Sequence, residues 1–361
     1  MKVSVRFVLA GPDDEAEVRR MLRENPLGGG WRISLEREPN AFAGPHFPGE
    51  RQQIVLARDS ASGEVIGLCE RLVRPAFVGG QERLLPYLGA LRVAASRRHR
   101  IAILKGGFAM LRDAELEDEC SFALTSIAAD NSVARRLLTA GIRELPTYRP
   151  AGEYVTLMMR AKPSANPLGI DVAQPDDLTD VVDFLRERLV LRQFAPAWSA
   201  AALARQPGLT ILVLRKGGAI EGVVGVWDQR AARQAVLRGL PRLIGRWRHV
   251  ANLAAPLLGS PTIPAPGEAI AQAFLTCLAV RGDDPDLVRA LVTAGASCAA
   301  RIGCKVATIG LPAGHSWLPA IRRCGRGIEY RTELFAAYWP EAEDRVAKLD
   351  LSRGFPDVAL L

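Results

Sequence analysis

Residues 84–113 read LLPYLGALRVAASRRHRIAILKGGFAMLRD. The apolar run through 84–95 predicts a strand. Ile101, Leu104, Phe108 and Leu111 then fall at i, i+3, i+7 and i+10, one face of a helix. Between them lies Ser96-Arg97-Arg98-His99-Arg100, a basic turn at a helix N-terminus. The first helical turn carries unpaired backbone N–H groups and the positive end of the dipole, so a basic turn there is a natural phosphate seat. Taken alone, RRHR reads equally well as a solvated basic face; the strand before it and the amphipathic helix after it favour the seat.

Outward from this stretch the chain repeats itself. GPDDEAEVRRML from Gly11 is answered by QPDDLTDVVDFL from Gln174, with Pro12-Asp13-Asp14 on Pro175-Asp176-Asp177, Val18 on Val181 and Leu22 on Leu185. Each copy pairs an acidic N-terminal cap with apolar residues at helical spacing. IVLAR (54–58) followed by EVIGL (64–68) matches ILVLR (211–215) followed by GVVGV (222–226), both reading as β-hairpins. CSFALTSIAADNSVARRLLTAG from Cys120 matches CKVATIGLPAGHSWLPAIRRCG from Cys304, with Asn131 on His315 and Gly141 on Gly325. Each copy therefore predicts helix, strand, strand, strand, helix, strand, helix, strand. The expected organisation is an N-terminal domain over 1–162, a C-terminal domain over 168–345 and a tail over 346–361, joined by AKPSANPLG (161–169). Twenty-six residues separate Gly67 from Val93 but 55 separate Gly225 from Val280, so the second copy holds about 29 extra residues near 231–268. Arg238, Arg242, Arg246 and Arg248 recur there near helical spacing beside Leu243, Ile244 and Trp247. The simpler expectation is a surface helix docked on its own domain by that apolar side; the sharper one is a segment that closes over the first copy's cleft or contacts an acidic acyl donor or partner.

The turn resembles the signature of the GCN5-related N-acetyltransferase (GNAT) superfamily, a strand followed by Q/R-x-x-G-x-G/A at a helix start. Here that register reads Arg97-Arg98-His99-Arg100-Ile101-Ala102: Arg97 matches the opening residue, Ala102 the last, and Arg100 replaces the middle glycine. Asn131-Ser132-Val133-Ala134 fits the family's Asn-x-x-Ala helix. The resemblance covers about 3–160 and, more faintly, 170–340. It implies an α/β fold of two tandem GNAT-like acyl-CoA N-acyltransferase domains, with acetyl-CoA or another acyl-CoA as co-substrate and no metal. The cofactor-binding residues it implies are Leu91, Val93, Arg97, Arg98, His99, Arg100, Ile101, Ala102 and Asn131. Such an enzyme needs a base for the attacking ammonium and an acid for the leaving thiolate. The family's usual acid is a tyrosine whose place is taken by Leu138; Tyr148 is the nearest substitute and Glu70 the candidate base. Tyr87 and Arg92 flank the binding strand, and NPLGGGWRIS (25–34) stands where relatives carry substrate-facing loops. The second copy has Arg281-Gly282-Asp283-Asp284-Pro285-Asp286 at the matching turn. Three aspartates repel a pyrophosphate and Pro285 removes a donor, so that copy reads as degenerate. The implied acceptor is a small-molecule or peptide amine; a non-catalytic GNAT-fold binding or sensing module is the alternative.

Composition bounds the rest. The chain has 361 residues, 48% hydrophobic and 24% charged, ordinary for two globular domains. The six cysteines form no CxxC pair and the 4 histidines offer no zinc-ligand spacing, so reduced, buried thiols are expected. With no cleavable leader or run of ~18 apolar residues, the expected setting is soluble and cytoplasmic. The net charge of +8 is spread too thinly to name a partner. Nucleic acid is disfavoured, because no recognition-helix, aromatic-platform or zinc pattern accompanies the arginines.

Overall fold

The computed structural model describes residues 4–27, 30–42, 50–97, 100–165 and 168–361. The first copy runs β1 (Val5–Leu9), α1 (Glu15–Glu24), β2 (Arg32–Glu36), β3 (Arg51–Asp59), β4 (Val65–Val78), β5 (Gln81–Val93), α2 (Ile101–Asp113), β6 (Phe122–Ala128), α3 (Ser132–Leu138) and β7 (Thr147–Arg160). The second runs β8 (Asp171–Val172), α4 (Leu178–Leu189), α5 (Ala200–Ala204), β9 (Leu209–Lys216), β10 (Ala219–Trp227), β11 (Gln234–Gly239), α6 (Arg242–Leu258), β12 (Gln272–Val280), α7 (Pro285–Arg301), β13 (Val306–Pro312), α8 (Leu318–Arg322) and β14 (Gly327–Tyr338), and α9 (Glu343–Ala347) opens the tail.

The sequence repeat is a repeat of interactions. Asp14 Oδ2 accepts from the Gly11 N–H at 2.8 Å, and Asp177 Oδ2 accepts from the Gln174 N–H at 2.7 Å. The other oxygen of each aspartate pairs with the arginine closing the following strand, Arg58 at 2.5 Å and Arg215 at 2.7 Å. The apolar stripes of α1 and α4 bury Val18, Met21 and Leu22, and Val181, Leu185 and Leu189, against their own halves of the sheet. Two hairpins that are not counterparts in the repeat turn on glycine pairs, β4–β5 at Gly79-Gly80 and β9–β10 at Gly217-Gly218. All four glycines have positive φ, which suits the twist of tight hairpins.

One sheet of twelve strands holds both copies, in the order β1-β3-β4-β5-β6-β14-β7-β13-β12-β10-β9-β8. The last strand of each copy has crossed to the other. β14 lies antiparallel to β6, with Tyr338 opposite Phe122, and β7 lies antiparallel to β13, with Pro312 opposite Tyr154. The crossed strands pair with each other from Gly327–Met159 to Tyr338–Thr147. One apolar core lies on each face of the second half, built on α7 and on α4, and smaller clusters under α1 and α2 serve the first.

The extra segment of the second copy differs from expectation. Arg238 lies on a strand, because Pro241 starts α6 and prevents helix before it. That strand, β11, pairs with β2 of the first copy, and Arg238 forms an ion pair with Glu36. Nor does α6 dock by the expected side: Leu243 and Trp247 are exposed, and Ala255 is its buried residue. All six cysteines are free, with Cys69, Cys277, Cys298 and Cys304 buried. No helix among the described residues is long and apolar enough to cross a membrane.

Candidate functional site

The two copies share a second irregularity. β5 and β6 run parallel and pair only at Tyr87–Leu124 and Leu88–Thr125, then part. β12 and β13 do the same after three pairs. Just beyond the last pair each central strand carries a bulge whose non-glycine residue has positive φ, Ala90 at 50° and Cys277 at 51°. A bulge of this kind lifts main-chain groups out of the ladder and re-aims them at the opening between the parted strands.

In the first copy the opening leads to the N-terminus of α2. Leu91 and Val93 are half-buried against α2, and Arg92, between them, faces the other side of the sheet. Arg97 lies on a short 3-10 turn, where its guanidinium pairs with Asp59 at 3.1 Å. Arg98 and His99 lie outside the described residues. Arg100 is the N-cap of α2 with φ −96° and ψ 91°, extended backbone that any residue adopts, so arginine sits without strain where the resembling motif has glycine. Ile101 and Ala102 form the exposed first turn. Asn131 caps α3, its side chain accepting from the Ala134 N–H at 3.1 Å. Tyr148 is buried on the α2 side among Leu104, Phe108, Leu138 and Phe335, the cluster that also holds Leu138 in the family's tyrosine position. Burial pushes its hydroxyl well above the ordinary tyrosine range.

Glu70 faces the opposite side of the sheet. It is buried, one carboxylate oxygen paired with Arg37 and the other accepting from Gln52 Nε2 at 2.7 Å. Burial opposes its ionisation, but Arg37 and Gln52 outweigh that and hold the carboxyl below the usual range. Tyr87 stands beside it, its hydroxyl 2.7 Å from Ser126 Oγ across the parting strands. Arg92 is buried; its Nη1 donates to the Leu91 carbonyl at 2.9 Å and its Nε has no hydrogen-bond partner. Arg233, from the segment leading into β11, donates to the main-chain oxygens of Ala359 and Leu361, both at 3.3 Å. Burial and the neighbouring Arg37 lower both guanidiniums to about 10. Among the described residues no aspartate or glutamate side chain lies within ion-pair distance of Arg92 or Arg233.

Sequence reasoning missed Arg37, Gln52 and Arg233. Gln52 was accessible by strand alternation from Ile54. Arg37 and Arg233 arrive on the β2–β11 ribbon, and no local pattern announces that. The glycine-rich stretch before Trp31 leads into this ribbon; residues 28 and 29 lie outside the described residues.

The second copy has filled its opening. Asp357 of the tail accepts hydrogen bonds from Thr276 Oγ1 and, at 3.2 Å, from the N–H of bulge residue Cys277. Tyr154 donates to the Pro356 carbonyl at 2.7 Å, and Arg74 of the first copy to that of Leu360 at 3.0 Å. The helix turn that follows is closed as well: Asp284 caps α7 with its own side chain and Asp283 pairs with Arg192 at 3.0 Å. His315 packs against Trp317 and Phe355, its Nε2 3.0 Å from Arg192 Nη1. Burial first, then Arg192, lowers it to about 4. The native state therefore refuses a proton that the unfolded chain accepts near 6.5, so stability is lost as pH falls from 6.5 to 4. Allowing for its partial exposure, the loss is about 2 kcal/mol. Urea unfolding at pH 7 and pH 4.5 measures it, and His315→Gln should shrink the difference by that amount; an unchanged difference assigns the acid sensitivity elsewhere.

No family model matches the chain, and no curated protein does. Solved structures do. N-myristoyltransferase of Saccharomyces cerevisiae with bound myristoyl-CoA aligns at TM-score 0.58 and 12% identity, over 93% of this chain and 83% of that one. The glucosamine N-acetyltransferase region of a fungal multi-domain GH3 β-N-acetylglucosaminidase gives 0.57 and 11%, over 93% and 38%. A GCN5-related N-acetyltransferase from Sphaerobacter thermophilus gives 0.53 and 14%, over 92% and 95%. At these identities the likeness is one of fold. The chain has the GNAT fold, and it has it twice, as two tandem lobes in one mixed α/β sheet.

Proposed function

We propose that the chain is an acyl-CoA-dependent N-acyltransferase with its CoA site in the first lobe, the pyrophosphate over the turn at 97–102 and the pantetheine between β5 and β6. One observation carries this reading. The same bulge occurs in both lobes, and in the second its N–H holds a carboxylate oxygen of the chain's own tail. In the first lobe the Ala90 N–H is the equivalent donor, placed for the carbonyl oxygen of a thioester that becomes an oxyanion under attack. Glu70, ionised on the acceptor side, takes the ammonium proton directly or through water; its oxygens keep lone pairs beyond those Arg37 and Gln52 use. The amine attacks the thioester carbon, the C–S bond breaks, and the thiolate leaves toward α2. Tyr148, on that face and fully protonated at neutral pH, is the candidate donor to it. The fold's relatives include acetyl- and myristoyltransferases, and acetyl-CoA is the simpler donor to test first against longer acyl-CoAs.

The acceptor side is cationic. Arg92 and Arg233, with no aspartate or glutamate side chain within ion-pair distance among the described residues, suit an amine whose carrier also bears an anionic group. Arg92→Met should raise the acceptor KM about tenfold, a loss of about 1.4 kcal/mol, and leave the CoA-induced rise in Tm intact. Unchanged steady-state kinetics would remove Arg92 from the acceptor site.

A non-catalytic acyl-CoA-binding module is favoured by two features: both Glu70 oxygens are engaged, and Tyr148 lies in an apolar cluster. Thermal shift with CoA and an acyl-CoA series, followed by thiol release with an amine panel, separates the readings. Ligand-induced stabilisation without thiol release selects the module; absence of stabilisation by any of them overturns both.

A further inference from the structure

We propose that α6 is a membrane-surface helix that docks the protein on anionic lipid. Leu243, Trp247, Val250, Leu253, Leu257 and Leu258 are each 51–90% exposed, and all six lie on one 17-residue helix. Leu243, Trp247, Val250, Ala254 and Leu257 follow one another at i, i+4, i+7, i+11 and i+14, a single stripe, with Leu253 and Leu258 beside it. The stripe is held outward by the opposite side of the helix. Asn252 exchanges two 2.8 Å hydrogen bonds with Ile263 of the proline-rich strap, Arg248 donates to the same Ile263 carbonyl at 3.3 Å, and Arg160 reaches the Pro256 carbonyl at 3.1 Å. One side of the helix is thus held by the strap, and no described residue covers the other.

Charge identifies the occupant. Between Asp228 and Glu268 the sequence has no acidic residue and six arginines. Arg230 and Arg238 are paired with Asp228 and Glu36, Arg233 donates to the tail at Ala359 and Leu361, and Arg248 serves the strap. Arg242, Arg246 and His249 remain exposed along one edge of the apolar stripe. An apolar stripe containing tryptophan and edged by arginine is the pattern of a helix lying in the interface of a bilayer with anionic headgroups. At ~1.5 Å per residue the helix lies about 26 Å along that surface. A protein partner would have to supply both a long apolar groove and an acidic rim; anionic lipid supplies both at any point.

The test is co-sedimentation of the full chain with phosphatidylcholine vesicles containing about 30% phosphatidylserine, against phosphatidylcholine alone, at low and physiological salt. Binding should require phosphatidylserine, weaken as salt rises and shift the emission of Trp247 to the blue, the last checked by subtraction with Trp247→Phe. Leu253→Glu with Leu257→Glu changes only exposed positions and should lower the bound fraction at least tenfold with Tm unchanged; Arg242→Ala with Arg246→Ala should do the same through charge alone. No sedimentation of the wild type, or equal sedimentation of the leucine variant, overturns the proposal. So does self-association in analytical ultracentrifugation that the leucine variant abolishes without any vesicle binding, which makes a second copy the occupant.

Discussion

Arg98→Glu combined with Arg100→Glu abolishes the rise in Tm that CoA produces. In the wild type, ligand at ~100 times its Kd stabilises the native state by about 2.7 kcal/mol, which for a chain of this size is a rise of about 4 °C. The turn holds Arg97, Arg98, His99 and Arg100 with no acidic residue, at the end of α2 where the dipole already favours an anion. Two reversals set carboxylates beside a pyrophosphate. Each unit of charge about 4 Å away is worth ~4 kcal/mol at the effective dielectric of a protein surface, so the site is lost outright. Arg100 makes no ion pair among the described residues, and the variant should keep its urea midpoint. Persistence of the shift would place the ligand elsewhere. The reverse experiment in the second lobe, Asp283→Arg with Asp284→Arg, should create no site: Pro285 still lacks its N–H and Asp357 still occupies the bulge.

The second large effect comes from cutting the chain between its copies. Residues 1–162 made alone should give no cooperative unfolding transition, although they contain a full set of GNAT-like elements. β6 would lose β14 along Phe122–Ala128, and β7 would lose both of its neighbours. Phe122, Leu124 and Tyr154, which pack with Leu334, Ala336 and Tyr338 across that seam, would face water. Adding 163–361 in trans, or co-expressing the two pieces, should restore a single transition. A monomeric 1–162 with a sharp thermal transition would show instead that the sequence boundaries are also folding boundaries.

The sequence disclosed those features that short-range spacing controls. PDD at both helix starts and arginine at both strand ends are local signals, and each forms the same interaction twice. The strand and helix around the basic turn were legible for the same reason. The exchange of β7 and β14 was not, because periodicity says that a strand has an inward face and nothing about which strand lies beside it. The cluster around Glu70 was not legible for a similar reason: Glu70, Arg37 and Arg233 come from three distant segments. Pro241 was a readable stop signal that separates β11 from α6. In sequence the stripe on α6 looks like a docking side, as in most amphipathic helices; the pattern fixes the face and leaves open what meets it.

The exchanged strands also carry a history. A single ancestral copy would end in a strand with no place in its own sheet, and two such copies satisfy each other by swapping those strands about a two-fold axis, an isologous dimer. Fusing them through 161–169 turns a bimolecular assembly into an intramolecular one, at effective concentrations of about a millimolar or more. Fusion also ends the obligation of the two halves to be alike. A homodimer must carry two basic turns or two acidic ones, and a fused chain is free to keep one cleft for a ligand and close the other with its own tail.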